Sequence, residues 1–107
     1  MKMKVICPKE CKERIAKGES IEIVDVREKY EYEQCNIGSL HIPMSEIIER
    51  HNELSSDGHL VIMCKTGKRA AAVANLLECE TSLEDVWVME NGIAGWKEKV
   101  DASLNLE

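Results

Sequence analysis

Residues 60–63 read LVIM, residues 64–69 read CKTGKR, and residues 70–77 read AAAVANLL. Four consecutive apolar residues are too few for a helix, and they predict a central parallel strand that is buried on both faces. The segment after the loop predicts a helix with Val73, Leu76 and Leu77 on one face, and its alanines would let it lie close to a sheet. A strand, a tight loop and a helix therefore follow one another, and this unit decides the fold.

Cys64 occupies the first position of that loop, at the carboxyl end of the strand and near the amino end of the helix. Crevices form at this place in open α/β sheets. Backbone amides, the helix dipole and the cations Lys65, Lys68 and Arg69 would stabilise a thiolate there. We therefore predict that Cys64 is an accessible, ionised nucleophile. The alternatives are a small buried core cysteine and, for Lys65 and Lys68, ordinary solvated surface.

The rest of the chain alternates between strand and helix patterns. Strands alternating with helices on this spacing predict an α/β fold with a parallel sheet and helices on both faces. Helix-starting and turn-forming residues, such as Pro8, Ser45 and the pair at 91–92, mark the boundaries. The predicted strands are 5–6, 21–24 and 86–88, and the predicted helices are 8–17, 28–35, one capped by Ser45 that carries Ile47, Ile48, His51 and Leu54, and one after 91–92.

Length and composition limit the classes of function. With 107 residues there is room for one domain, residues 1–107, in which Leu106-Glu107 is a candidate cloning remnant. A net charge of -6 argues against nucleic acid and anionic membranes as partners. No run is long enough to span a bilayer, and the polar amino terminus is unlike a signal peptide. We expect a cytoplasmic monomer.

Five cysteines, an odd number without the spacing of a secreted scaffold, fit a reducing compartment. Cys7 and Cys11 lack two further ligands at metal-binding spacing, so we interpret them as packing or surface thiols and predict no metal. Cys35 is either a packing residue, which we favour, or a second redox-active thiol.

Four segments in order carry a resemblance to a known family: DVRE at 25–28, LHIP at 40–43, the loop at 64–69 and NGIAGW at 91–96. Together they resemble rhodanese-like sulfurtransferase domains over nearly the whole chain, from about Val5 onward. Residues 30–38 and 95–104 are most similar to the rhodanese domain attached to adenylyltransferases of thiamin and molybdopterin biosynthesis.

This resemblance implies a rhodanese-like α/β fold, a mostly parallel central sheet of about five strands with helices on both faces. It also implies sulfur transfer from a donor such as thiosulfate through a persulfide on Cys64, without a cofactor. The implied partners are a small sulfur-donor anion, a cysteine desulfurase, an adenylyltransferase and a ubiquitin-like sulfur carrier. The carrier's adenylated carboxyl terminus would become a thiocarboxylate.

The candidate site residues form three groups. Cys64 is catalytic, and its loop binds substrate through inward-pointing amides. Asp25 and Arg27, which the resemblance places beside the loop, are supporting, with Arg27 a candidate substrate contact. His41 is interpreted as structural, since transfer through a thiolate needs no strong base. The predicted loop residues are Lys65, Thr66, Gly67, Lys68 and Arg69.

Two other functions stay open at this point. Dual-specificity phosphatases and some arsenate reductases resemble this fold, but their loop places five residues between Cys and Arg. Here four residues separate Cys64 from Arg69, which predicts a narrower cup suited to a single sulfur atom. The other alternative is a non-catalytic rhodanese-like module that binds a partner or senses redox state.

Overall fold

The computed structural model describes residues 4–54 and 58–106. Its five strands form one parallel sheet in the order β1-β5-β4-β2-β3. This arrangement confirms the predicted fold class. The elements are β1 Lys4–Ile6, α1 Pro8–Ala16, β2 Ile21–Asp25, α2 Lys29–Gln34, β3 Leu40–His41, the 3-10 turns Met44–Glu46 and His51–Glu53, β4 His59–Met63, α3 Lys68–Glu80, β5 Val86–Met89 and α4 Gly92–Lys99.

Strand β4 lies in the middle of the sheet, between β5 and β2. Its side chains alternate between the faces, because successive residues of a strand point in opposite directions. Leu60 and Ile62 pack in one core, whereas Val61 and Met63 pack in the other. All four are at most 2% exposed, so the apolar run is a strand covered on both sides, as predicted.

Helices cover both faces of the sheet. Helix α3 packs on the face that holds Ile62, while α1 and α4 pack on the opposite face through Cys11, Ile93 and Trp96. None of the helices formed by the described residues is long and apolar enough to cross a membrane.

The buried stripe of α3 differs in one position from the prediction. Val73 and Leu77 are fully buried, but Leu76 is 38% exposed. Since each helical residue advances about 100°, the stripe centres between Val73 and Leu77, and Ala70 and Ala74 complete it. The alanines thus face the sheet, and Leu76 lies to the side.

The prediction of a helix capped by Ser45 is wrong. The chain forms two separate 3-10 turns, and Ser45 lies inside the first of them rather than capping it. His51 Nδ1 lies 2.7 Å from the carbonyl oxygen of Ile48, an acceptor that an α-helix would use for its own backbone. Ile47 and Leu54 are nevertheless buried. The sequence Ser55-Ser56-Asp57-Gly58 also predicts a turn into β4, and residues 55–57 of it lie outside the described residues.

Helix α1 begins as predicted, with Pro8 in its first turn. Cys7 caps the helix, since its Sγ accepts from the Glu10 amide at 3.5 Å. Cys11 is fully buried, and burial raises the pKa of its thiol to about 11. Cys35 is also buried and ends α2. Packing and capping therefore account for these three thiols.

A buried ion pair joins α2 to the end of β2. Asp25 and Arg27 are at most 1% exposed, and Arg27 Nε and Nη2 donate to the Asp25 carboxylate at 2.8 to 3.0 Å. The same guanidinium donates to the carbonyl oxygens of Cys35, at 2.6 Å, and Glu31, at 3.4 Å. Every oxygen and nitrogen of the pair has a partner, so it holds the polypeptide around α2 against the sheet.

Replacing Asp25 with alanine should destabilise the protein by about 3–5 kcal/mol, because it leaves the guanidinium of Arg27 buried without its counter-charge. Urea unfolding measures the change. Glu10→Ala is the matched control, since it removes the carboxylate of an exposed pair with Arg14 and should cost less than about 1 kcal/mol. Similar losses in the two variants would contradict this assignment.

Candidate active site

Two backbone amides converge on the sulfur of Cys64. Its Sγ accepts from the amide of Gly67 at 3.0 Å and from that of Ala70 at 3.3 Å. Of these two donors, Gly67 belongs to the loop whose amides were predicted to point inward, and Ala70 lies one residue beyond it. Cys64 itself is only 1% exposed, so the prediction of an accessible thiol is wrong for this conformation.

The position of the sulfur follows from the alternation along β4. Residue 64 continues the face of Leu60 and Ile62, on which α3 packs. Its side chain therefore lies beneath the first turn of α3, where backbone N–H groups have no partner within the helix. Those N–H groups favour negative charge on an acceptor.

Gly67 makes the tight entry into α3 possible. Its φ of 107° lies in the left-handed region, which glycine adopts without the steric cost that a side chain brings. The residue immediately precedes α3, and its amide is one of the two donors to the sulfur. The left-handed conformation therefore explains why a glycine stands at position 67 of the predicted loop.

The amino terminus of α4 holds the beginning of the loop. The Ile93 amide donates to the carbonyl of Cys64 at 2.8 Å, and the Ala94 amide donates to that of Lys65 at 3.1 Å. Gly92 permits this approach, because a Cβ there would lie 2.2 Å from the Cys64 carbonyl oxygen. Since a peptide's C=O and N–H point in opposite directions, these bonds also orient the amides that follow.

Arg69 is paired with a carboxylate that the sequence analysis missed. Its Nη1 and Nη2 lie 2.7 and 3.0 Å from the two carboxylate oxygens of Glu31, in α2. The hydrogen bonds from Arg69 lower the pKa of Glu31 to about 2, against the effect of burial, and Glu31 raises the pKa of Arg69. The guanidinium is therefore not a free cation of the loop.

The two lysines differ from Arg69. Among residues 4–54 and 58–106, neither Lys65 nor Lys68 forms an ion pair. Lys68 is exposed and Lys65 half-buried, and Thr66 is exposed at the tip of the loop. Positive charge that can attract an anion therefore comes from the lysines.

The supporting residues lie near the loop but are committed to other contacts. Arg27 binds Asp25 and two carbonyl oxygens, so its contacts give it a framework role, and the substrate contact stays a prediction. Arg27 also lines a cavity of about 190 Å³. The lining residues are Arg27, Tyr30, Glu31, Gln34, Lys65 and Leu106.

His41 has the structural contacts expected of it. Its Nε2 lies 2.8 Å from the carbonyl oxygen of Arg27, and its ring stacks on Tyr32 with 4.4 Å between centroids. Both contacts orient the segment between β2 and β3.

Two signals pointed to the residues that were missed. Glu31 stands three residues after Glu28, and the pair forms a capping box at the start of α2. Gly92 stands at the start of α4, where a glycine indicates a close backbone approach. Neither signal says which distant segment the residue contacts.

Replacing Gly92 with alanine should shift the loop, because the new Cβ overlaps the Cys64 carbonyl. Gly18→Ala is the matched control: its φ of 88° is also left-handed, but its Cβ would meet nothing within 4 Å. Backbone strain alone should lower the free energy of unfolding of the control by about 1 kcal/mol, and Gly92→Ala should lower it by about 1–3 kcal/mol more. Thermal unfolding and amide exchange at Ile93 and Ala94 test this, and equal effects would contradict it.

Comparisons with known proteins agree with this geometry. The family model of the Rhodanese-like domain matches residues 8–99. The chain is 33% identical over 91 residues to "Putative sulfur carrier protein YrkF" of Bacillus subtilis, which covers 84% of this chain but only 49% of that protein. It is 33% identical over 98 residues to "Putative sulfurtransferase YtwF" of the same organism, covering 91% of this chain and 93% of YtwF.

A solved structure shows the same architecture. The rhodanese-like domain protein from Staphylococcus aureus superposes with a TM-score of 0.81 at 28% identity, covering 98% of this chain and 99% of that one. The family match spans most of the chain and includes β2, the Cys64 loop and the start of α4. The chain therefore belongs to the family of rhodanese-like domains.

Proposed function

We propose that the chain is a rhodanese-type sulfurtransferase that carries a sulfane sulfur as a persulfide on Cys64. The observation that carries this proposal is the pair of amides, from Gly67 and Ala70, aimed at one cysteine sulfur. Such fixed donors stabilise the negative charge that sulfur holds before and after each transfer. The names of YrkF and YtwF support the same class of chemistry.

The reaction takes place in two steps. The Cys64 thiolate attacks the outer sulfur of a donor such as thiosulfate, the donor's S–S bond breaks, and sulfite leaves with the electron pair. An acceptor nucleophile then attacks the outer sulfur of the persulfide and restores the Cys64 thiolate. No cofactor takes part in either step, and the double displacement predicts ping-pong kinetics.

Access to the sulfur requires movement in the loop. Cys64 is 1% exposed, so a donor reaches Sγ only after neighbouring atoms shift. Lys65 and Lys68 belong to the same loop as Cys64 and would raise the local concentration of an anionic donor. Both lysines belong to a chain of net charge -6, so the attraction is local to this loop.

The partners follow from the same chemistry. A small sulfur-donor anion or a cysteine desulfurase persulfide would load Cys64. A ubiquitin-like sulfur carrier, adenylated by a separate adenylyltransferase, would be an electrophilic acceptor: the outer sulfur of the persulfide attacks the acyl adenylate, and AMP leaves. A second thiol then attacks Cys64 Sγ, which releases the thiocarboxylate and leaves Cys64 in a disulfide with that thiol, and a further thiol restores Cys64. We place this reaction in the cytoplasm, where five unpaired cysteines stay reduced.

Cys64→Ser should abolish sulfur loading, because a serine oxygen cannot form a persulfide. The fold should remain intact. The measurement is the intact mass after incubation with thiosulfate, where the unchanged protein should gain one sulfur atom. Cys79→Ser, which removes an exposed thiol, should load normally. A sulfur gained by the Cys64→Ser variant would move the chemistry to another cysteine, and phosphate release from a phosphotyrosine mimic would favour the phosphatase alternative.

Lys65→Glu with Lys68→Glu should raise the KM for thiosulfate about tenfold at low salt, because the loop no longer attracts an anion. The difference should shrink as salt screens the charges. Lys97→Glu with Lys99→Glu makes the same change of charge on α4 and should leave KM unchanged. A KM that is independent of the loop lysines would remove the steering role.

A further inference from the structure

The ion pair between Glu31 and Arg69 connects α2 to the residue beside a sulfur-binding amide. Arg69 immediately precedes Ala70, whose amide donates to Cys64 Sγ. Both terminal nitrogens of the guanidinium are engaged, each with its own oxygen of Glu31, at 2.7 and 3.0 Å. The Glu31 side chain is 16% exposed and the Arg69 side chain 35% exposed, so the carboxylate is better shielded from water than the guanidinium.

A guanidinium with two parallel N–H donors recognises two oxygens at once, in a carboxylate or in a tetrahedral oxyanion. Here the carboxylate belongs to the protein itself. With a pKa of about 2, Glu31 stays ionised at neutral pH. An incoming oxyanion must displace the Glu31 carboxylate to use the same two N–H donors. At the remaining N–H donors of Arg69 it meets the negative charge of Glu31.

We propose that Glu31 is a positioning residue that sets donor specificity: by holding Arg69, it denies the guanidinium to dianionic oxyanion donors. It thereby favours persulfide donors, in which the transferred sulfur is attached to a thiol sulfur that bears no oxygen atoms. The inference rests on the proposed sulfur transfer and deepens it. Thiosulfate then enters through Lys65 and Lys68 alone, as a weakly bound donor. The preferred donor class is the persulfide of a thiol, on a small molecule or on a protein.

Sulfate binding tests the ion pair without any sulfur transfer. In Glu31→Gln the glutamine still reaches the Glu28 amide of the capping box, but it no longer neutralises Arg69. A titration with sulfate, followed by NMR at the amides of Gly67 and Ala70, should show a Kd about tenfold lower than in the unchanged protein. Glu33→Gln makes the same change of charge at an exposed position of α2 and should not alter the Kd.

The donor ratio tests the specificity. In Glu31→Gln, kcat/KM for thiosulfate should rise about tenfold through a lower KM, whereas kcat/KM for a small-thiol persulfide should change less than about twofold. A role of Glu31 in stability alone would lower both values together. Adding Arg69→Gln to Glu31→Gln should remove the gain for thiosulfate and for sulfate.

Three results would overturn the inference: equal sulfate affinity in Glu31→Gln and Glu33→Gln, a gain that persists without Arg69, or equal gains for both donor classes. Should Glu31→Gln fail to fold, Glu31→Asp replaces it. The shorter side chain weakens the bidentate contact and should give a smaller gain, and no gain would again overturn the inference. Failure of sulfur loading in the unchanged protein would refute the proposed function but leave the sulfate result standing.

Discussion

The hydrogen bonds from Ile93 and Ala94 to the carbonyls of Cys64 and Lys65 are the constraint on which the site depends. They fix the peptide groups with which the loop begins. Gly67 then takes a left-handed conformation, and the chain enters α3 with its amides facing the sulfur. Two helices from different parts of the sequence thus shape one loop, α3 by donating to the sulfur and α4 by holding the carbonyls.

The charges around the loop are arranged unevenly. Arg69 is neutralised by Glu31, and Arg27 is neutralised by Asp25, so both guanidinium groups next to the site are internally paired. The unpaired positive charge in the described part of the chain near Cys64 is carried by lysines on the loop surface. The two arginines therefore stabilise the structure through their ion pairs. The lysines, whose long side chains remain hydrated, are the cations that can attract an anion.

Local patterns in the sequence predict the fold well. The apolar run of β4 predicts a strand clearly because the strand is covered on both faces. Pro8 and Gly67 mark the starts of α1 and α3 through the backbone conformations that proline and glycine prefer. The helix from Ser45 fails, although its apolar spacing is helical, because short turns bury Ile47 and Leu54 equally well. Apolar spacing alone does not distinguish these two solutions.

The missed features of the site depend on distant contacts. Glu31 and Arg69 are 38 residues apart, and only the packing of α2 beside the loop brings them together. The burial of Cys64 likewise depends on how closely α3 lies over β4, which a loop motif does not reveal. Composition and spacing single out Cys64 as the candidate nucleophile, but the tertiary structure decides how far it is exposed and which cations near it are unpaired.

The contact of Gly92 with the loop has a consequence for protein engineering. The peptide groups of Cys64 and Lys65 are oriented by α4, a helix that follows them by more than twenty residues. Residues 64–69 therefore do not hold their conformation by themselves. Grafted onto the strand and helix of another α/β scaffold, they would lack this clamp and lose their shape. A functional transplant would have to carry the final helix with it.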